Sequence, residues 1–385
     1  MRILLVEPNL IDNGAIRVSL DRALRWKSKS EVTILVTSPD THGDKNLIDV
    51  PAGLIVKFAY KKTFNRALAI VASVKIGLKM AKNADVIVAG REIDNGLLVA
   101  SLIALISRKP LAVTVQSSVG DAMQAYLPPR IQSLTKQAYR RVDLAVCVSA
   151  GLVPSVMAVG VSRQNIKVVL NGLDYEGIRT LAKVTPAVDL PTGRFITAVG
   201  RLAHQKGFDL LIRAHAAALK SGAPEHSLVL VGEGPDLDQL KALTLELDVE
   251  NTVIFTGFLN NPHAVVARGD AFVMSSRWEG FSLVLAEALA VKVPIIAANC
   301  VSGPSEILDN GKFGWLVPVN DVAAMAAAIT SHLREPDVLK TKAALGSASL
   351  AQRFNLDGAA DHHLLYLEQL QARMKRVTKP RVTAE

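Results

Sequence analysis

Cysteine and aromatic side chains are scarce: the 385 residues include 2 cysteines, and aromatics make up 5%. Cys147 and Cys300 each sit among apolar neighbours, which argues against a disulfide framework or a cysteine metal site and fits buried, reduced thiols. The few aromatics are not interleaved with basic residues, so the usual nucleic-acid-binding modules are not indicated. Long apolar runs are missing too. The longest, LLVASLIALI at Leu97–Ile106, is interrupted by Ser101 and falls short of the roughly 20 residues a membrane-spanning helix needs. The start, MRILLVEPN, lacks the basic, long apolar and small-residue parts of a secretory signal. The chain is therefore expected to stay in the cytoplasm. No low-complexity tract occurs, and no internal repeat beyond two similar halves.

What is present is a hydrophobic fraction of 50%, enough for two ordinary domains with sizeable cores. The net charge of +9 is unevenly spread: residues 1–185 carry 25 Lys/Arg against 14 Asp/Glu. Within that half, Tyr60–Lys82 sets Lys61, Lys62, Arg66, Lys75, Lys79 and Lys82 among apolar residues at helical spacing. Such a basic amphipathic helix either lies on an anionic membrane surface or covers a sheet with its cations in water.

Short apolar strands alternate with longer helical stretches, twice over. RILLVEP, EVTILVTS, ADVIVAG, LAVTVQS, LAVCVSA and IKVVLNG read as buried strands of the first half. FITAVGRL, SLVLVGEG, TVIFTGFL, AFVMSS, VPIIAAN and GWLVPV do the same in the second. The alternation predicts an α/β protein with two doubly wound parallel sheets. The expected division is a first domain over 1–180, a linker over 181–193 where two prolines and a glycine interrupt periodicity, and a second domain over 194–360. A helix over 361–378, packing back towards the first domain, and a frayed tail over 379–385 complete the chain.

Parallel sheets of this kind bind ligands beyond the carboxyl ends of their strands. In VGRLAHQKGFDLLIRA (Val199–Ala214) a strand ends near Gly200, and Arg201 and Lys206 fall in the loop before a helix. Two cations there suit a diphosphate, Arg as a fork and Lys as a point charge. In VGEGPDLDQL, Gly232 and Gly234 permit a close backbone approach. In SSRWEGFSLVLAEALA, Ser282 is positioned to cap a helix over Leu283–Ala290, whose free N–H groups favour an anion. Glu279 and Glu287 bracket that helix start. Carboxylates accept hydrogen bonds from sugar hydroxyls, so the arrangement fits phosphate in the middle with a sugar on each side.

With VGRL…KG, LVGEGP, FTGFL, the Glu279-to-Glu287 spacing, SGPSEIL and GKFGWLVPVND, the second half resembles the retaining GT-B glycosyltransferases of family four, of the bacterial polysaccharide and lipid-linked oligosaccharide type. The resemblance is strong over Phe195–Asp321 and weaker before it. It implies two Rossmann-like domains facing each other across a cleft. By resemblance, Arg201 and Lys206 hold the donor diphosphate, Glu287 takes the ribose hydroxyls, and Glu279 bonds the transferred sugar with backbone help from Gly280, Phe281, Ser282 and Leu283. Phe258 and Leu259 lie by the base, Gly200, Gly232 and Gly234 wall the pocket, and Gly14 approaches the phosphates from the first domain. The implied reaction moves a hexose or N-acetylhexosamine from a nucleotide sugar, UDP-linked by preference and GDP-linked as the second choice, to a hydroxyl of a lipid-linked saccharide or polysaccharide precursor. It needs no metal and no cofactor, and places the enzyme at the inner face of the plasma membrane. Three departures stand out: Gln116 and Ser117 occupy a strand exit where members often carry His, Lys292 replaces the glycine after the donor helix, and only Gly14 remains of an amino-terminal glycine pair. A sugar-nucleotide epimerase of similar architecture would convert its donor without an acceptor, and a non-catalytic nucleotide-sugar-binding protein would have lost the charged site residues.

Overall fold

The computed structural model describes residues 1–11, 13–39, 48–60 and 65–378. Lys61, Lys62 and the tail over 379–385 lie outside the described residues. The chain divides into two compact units, one formed by Met1–Gly172 with the segment from Leu356 onward, the other by Leu173–Asn355.

The first unit is built on seven strands: β1 (Arg2–Glu7), β2 (Glu31–Pro39), β3 (Ile55–Tyr60), β4 (Val86–Ala89), β5 (Leu111–Val115), β6 (Leu144–Cys147) and β7 (Ile166–Val168). They pair in parallel in the order β3-β2-β1-β4-β5-β6-β7. The uninterrupted apolar runs are buried on both sheet faces, as parallel pairing requires. Strand β3 escapes the sequence pattern because Lys57 interrupts its apolar run, with Ile55 and Lys57 exposed and only Ala59 fully buried. The connecting helices are α1 (Gly14–Lys27), α2 (Arg66–Ala81), α3 (Asn95–Ser107), α4 (Val119–Tyr126), α5 (Pro129–Tyr139) and α6 (Val153–Ala158).

The second unit opens with α7 (Tyr175–Ala182) and contains β8 (Phe195–Val199), α8 (Phe208–Lys220), β9 (Ser227–Val231), α9 (Leu237–Glu246), β10 (Val253–Gly257), α10 (His263–Val266), β11 (Ala271–Met274), α11 (Leu283–Ala290), β12 (Ile295–Ala298), α12 (Pro304–Ile307), β13 (Trp315–Val317), α13 (Val322–Arg334) and α14 (Asp337–Arg353). Its sheet runs β10-β9-β8-β11-β12-β13, all parallel. Each sheet reverses its strand order once, between β1 and β4 in the first unit and between β8 and β11 in the second. These switch points open a crevice at the strand carboxyl ends.

The domain boundary differs from the expected linker. The chain passes between units at Gly172–Leu173 and Asn355–Leu356, whereas the proline-containing stretch over 181–193 belongs wholly to the second unit. There Val188 and Leu190 pack on Phe195, Val229, Val231 and Val265, and Leu181 accepts a hydrogen bond from Asn261 Nδ2 at 2.8 Å. Prolines break helical periodicity without freeing a segment from the core. The actual crossing is marked by a small residue: a Cβ on Gly172 would stand 2.3 Å from Leu356 Cα.

The last helix, α15 (Leu356–Thr378), belongs to the first unit and packs on α1. Trp26 Nε1 donates to Ala360 O at 3.1 Å, Arg22 Nη1 meets His363 Nδ1 at 3.1 Å, and Arg25 pairs with Asp357 at 2.7 Å.

Buried histidines make the second unit acid-sensitive. His215 Nδ1 lies 3.1 Å from His226 Nε2, and its Nε2 lies 2.9 Å from Thr252 Oγ1. Burial, and secondarily the His226 charge, push the His215 ring down to about 3; burial also lowers His226 and His332. A value below the unfolded one means that the unfolded chain takes up the proton first, so stability is complete above the ordinary histidine value of about 6.5 and falls as pH drops below it. The unfolding free energy of the second unit from urea denaturation should therefore fall on acidification from about pH 7 to pH 5, by up to about 1.4 kcal/mol per pH unit for each histidine, and less steeply in His215→Gln protein. Identical pH profiles for the two proteins would contradict this role of His215.

Candidate active site

At the second unit's switch point, β8 and β11 lie side by side and both release loops at their carboxyl ends. The β8–α8 loop carries Gly200, Arg201 and a tight turn over His204–Lys206. The β11–α11 loop carries Ser275 to Ser282. They meet at Gly207, whose φ of +63° and position 2.2 Å from Ser275 O, measured from where a Cβ would sit, both require glycine. Ser275 Oγ donates to Lys206 O at 2.9 Å.

This contact brings Lys206 Nζ to 2.7 Å from Glu279 Oε1, which also accepts from Ser276 Oγ at 2.6 Å. The Glu279 side chain is 6% exposed and that of Lys206 21%. A carboxylate this buried is costly without hydrogen-bond partners, and these two donors supply them. The resemblance assigns Glu279 to a sugar; in the structure its Oε1 is turned to Lys206. Arg201, by contrast, is exposed on the same loop.

A second bond set locks the loops together. Arg277 forms a fork on Asp209, at 2.8 and 2.7 Å, and also donates to His204 O at 2.7 Å. Its backbone N–H reaches Gln205 O at 2.8 Å, and Gln205 Nε2 returns to Trp278 O at 3.0 Å. Burial raises the Asp209 carboxyl, but the Arg277 hydrogen bonds and charge outweigh it and hold the group below its ordinary range.

Ser282 stands at the N-cap position of α11 but does not cap it with its side chain. Its φ is +60°, and its hydroxyl points to Met274 Sδ at 3.0 Å. Among the described residues, the N–H groups of Leu283 and Val284 therefore meet no acceptor. Such a helix start carries partial positive charge and favours an anion. Gly280 and Phe281 are held from behind: Ser302 Oγ donates to Gly280 O, and a Cβ on Gly303 would lie 2.7 Å from Phe281 O. At the far end, Lys292 keeps the left-handed turn at φ 65°, with Val293 N–H bonded to Ala288 O. The usual Schellman ending is thus built with lysine, at a backbone cost of roughly 1 kcal/mol relative to glycine.

Gly232 and Gly234 do allow a close approach, but to the protein's own backbone. Added Cβ atoms would stand 2.0 Å from Gly200 O and 2.2 Å from Leu202 O. They seat the β9 exit against the cationic loop. Beyond β10, Phe258 is 53% exposed, whereas Leu259 packs on the Phe195–Val265 cluster. Glu287 lies inside α11 with Oε2 4.0 Å from His263 Nδ1 and a side chain 25% exposed. The two glutamates therefore face different partners.

In the first unit, Gly14 is the first residue of α1, whose cap, Asn13, accepts from Ala15 and Ile16 N–H and from Arg91 Nη2. Gln116 Nε2 donates to Ala15 O and Gly90 O, and its backbone N–H to Glu92 Oε2 at 3.1 Å. Ser117 Oγ donates to Glu92 Oε1. Glu7 is fully buried beside Ser19, and burial pushes its carboxyl up to about 7 against the pull of that hydroxyl and of Arg91. These groups gather at the carboxyl ends of β1, β4 and β5. Of the six cations read as one basic stripe, Lys75, Lys79 and Lys82 are exposed on or just after α2, and Arg66 opens that helix.

Sequence reasoning did not single out Ser276, Arg277, Asp209, Gln205, Ser302, Gly303 or Glu92. Arg277 and Ser276 flank the opening of a motif that was recognised; Asp209 and Glu92 had no local signal, because their partners lie 68 and 25 residues away.

Residues 187–350 match the family model described as glycosyl transferases group 1. The fold is that of GT-B glycosyltransferases: HepE of Anabaena, crystallised with UDP-glucose, superposes with a TM-score of 0.80 at 20% identity, covering 96% of this chain and 100% of that one. Sucrose-phosphate synthase of Thermosynechococcus elongatus gives 0.77 at 19%, covering 97% and 100%. Among curated proteins, the chain is 34% identical over 203 residues to the N-acetylgalactosamine-N,N'-diacetylbacillosaminyl-diphospho-undecaprenol 4-alpha-N-acetylgalactosaminyltransferase of Campylobacter jejuni, over 52% of this chain and 54% of that protein. It is 31% identical over 228 residues to the lipopolysaccharide core biosynthesis glycosyltransferase LpsD of Rhizobium meliloti, over 59% and 64%. The matches thus span between about half and two thirds of these relatives' lengths.

The clamp should be energetically coupled. In a double-mutant cycle on Arg277→Lys and Asp209→Asn, followed by urea unfolding of the second unit, a coupling of about 1–2 kcal/mol is expected for the fork. Additive losses would show that the two side chains are merely adjacent.

Proposed function

We propose that the protein is a retaining, metal-independent glycosyltransferase that moves a hexose or N-acetylhexosamine from a UDP-sugar to a hydroxyl of a lipid-linked saccharide or polysaccharide precursor. The observation that carries this reading is the Lys206 ammonium held on Glu279 in a loop bonded to the one that starts α11, whose first-turn N–H groups have no side-chain cap. An ammonium and a helix start together suit a diphosphate. The family match over 187–350 and the nature of the curated relatives support transfer of a glycosyl group, and UDP-glucose in the similarly folded HepE supports a uridine donor. A GDP-sugar is the second choice.

In the proposed reaction the bond between the anomeric carbon and the β-phosphate oxygen breaks, and the acceptor hydroxyl oxygen bonds to that carbon on the same face. The acceptor proton passes to the departing phosphate, which leaves as UDP. Lys206 and Arg201 stabilise the charge that develops on the leaving group, together with the backbone amides of Gly280, Phe281, Ser282 and Leu283. Fixed positive groups of this kind do the work a divalent cation does elsewhere, so neither metal nor cofactor is assigned. Glu279 keeps Lys206 directed and hydrogen-bonds the transferred sugar, and Glu287 receives the ribose hydroxyls. Gly200, Gly232 and Gly234 shape the donor pocket, with Phe258 and Leu259 on its base side; in the first unit, Gly14 is assigned to the donor phosphates, and Gln116 and Ser117 to the acceptor. The enzyme works in the cytoplasm at the inner membrane face, the basic first unit drawing it towards an anionic surface. No helix among the described residues is long and apolar enough to cross a membrane.

Isothermal titration without metal should show UDP binding more tightly than GDP, and Glu287→Ala should weaken UDP by about 2 kcal/mol, near thirtyfold. With a competent acceptor, nuclear magnetic resonance of the first-formed product should show the donor's anomeric configuration, and a chelator should leave the rate unchanged. An inverted product, or a rate abolished by chelation, would overturn the mechanism.

A further inference from the structure

Helix α3 has an outward face unlike that of a soluble surface helix. Its 13 residues include no charged side chain, and Leu102, Leu105 and Ile106 are 40%, 50% and 57% exposed. Their spacing puts all three on one side of the last two turns. A helix over a sheet ordinarily turns polar groups outward; here leucine and isoleucine take that place, and the chain becomes basic only at Arg108 and Lys109, immediately after the helix.

The neighbouring helix supplies charge. α2 packs on α3 so closely that a Cβ on Gly77 would stand 2.1 Å from Ile103 Cδ1. Both helices cross the sheet in the same sense, so their carboxyl-terminal halves lie at the same edge. The outward side of α2 and the residue just after it expose Lys75, Lys79 and Lys82. Neither helix contains an acidic residue. The nearest acid ahead of β4, Asp85, is paired with Arg2 at 3.0 Å.

We propose that α3 is the inserting element of a membrane-docking face: Leu102, Leu105 and Ile106 enter the interfacial layer of an anionic bilayer while Lys75, Lys79 and Lys82 engage its headgroups. Uncharged apolar side chains with exposed cations on the neighbouring helix, and no acid on either helix, match a surface that is apolar below and negative above. A protein partner recognised by this face would need complementary acids around an apolar centre, and is the outcome to be distinguished. The inference deepens the lipid-linked acceptor reading, but its binding step involves no substrate.

The test is co-sedimentation of the full chain with vesicles of equal parts phosphatidylglycerol and phosphatidylcholine, against vesicles of phosphatidylcholine alone. Binding should require the anionic lipid. The combined Leu102→Ser, Leu105→Ser and Ile106→Ser variant should bind about a hundredfold more weakly, and each of Lys75→Gln, Lys79→Gln and Lys82→Gln about fivefold more weakly. In Leu105→Trp protein, the added fluorescence should shift to the blue on anionic vesicles. UDP titration of the same samples reports fold and donor site separately, so loss of UDP binding in the parent would sink the glycosyltransferase reading while leaving the vesicle result intact. Equal vesicle binding by the serine variant, an unshifted emission from the introduced tryptophan, or a serine-sensitive dimer that ignores vesicles would each overturn the proposal.

Discussion

The second unit's site depends on one buried ion pair, Lys206 with Glu279, made possible by two loops that approach to backbone contact at Gly207 and Ser275. A lone buried carboxylate and a loose surface lysine would each be unfavourable or ineffective. Paired at 2.7 Å and backed by Ser276, they fix an ammonium in a defined place. Everything around the pair reduces its freedom: the Arg277–Asp209 fork ties the loops from the side, Gly232 and Gly234 bring the β9 exit onto Gly200 and Leu202, and Ser302 with Gly303 supports the loop ahead of α11. Preorganisation of this sort matters for a reaction whose difficulty is charge on a leaving group, because donors already in place need not reorganise as that charge appears.

The two units place polar groups according to one topological rule but fill the place differently. In the second, the carboxyl ends around the switch point carry cations and free helix donors. In the first, they carry acids and amides bonded to one another: Glu92 receives both Ser117 and the Gln116 backbone, Gln116 reaches Ala15 and Gly90, and Glu7 lies wholly buried beside Ser19. The contrast follows the division of charge with an inversion. In the first unit the exposed cations Lys75, Lys79 and Lys82 sit on or just after α2, whereas Arg91 lies among the polar groups beyond β4, bonded to Asn13.

Much of this was legible in the amino-acid sequence, for identifiable reasons. Among the described residues, twelve strands announce themselves through continuous apolar runs, which parallel strands carry when buried on both faces; the thirteenth, β3, alternates exposed and covered positions around Lys57 and hides. Arg201, Lys206 and Glu279 could be placed at strand exits, and Glu287 inside the helix that follows, because strand and helix periodicities bound their loops. Side-chain direction was not legible. Whether Glu279 faces a sugar or Lys206, and whether glycine spacing serves a ligand or the neighbouring backbone, are set by contacts tens of residues apart, and whether Ser282 caps α11 or turns to Met274 by a residue on the preceding strand. The domain boundary failed for a similar reason: proline marks the end of periodicity, whereas the units divide at Gly172 and Asn355, positions set by packing rather than by local sequence. Lys292 is the reverse case, a position where a glycine rule is broken and the left-handed turn persists.

The most direct measurement is the affinity of the protein and of its Lys206→Ala variant for uridine, UMP and UDP by isothermal titration. If Lys206 and the start of α11 hold the terminal phosphate, the native protein should prefer UDP over UMP by at least about tenfold. The variant should lose that preference while binding uridine unchanged. A variant that still prefers UDP to UMP to the same extent would contradict the placement of the diphosphate on which the proposed mechanism rests.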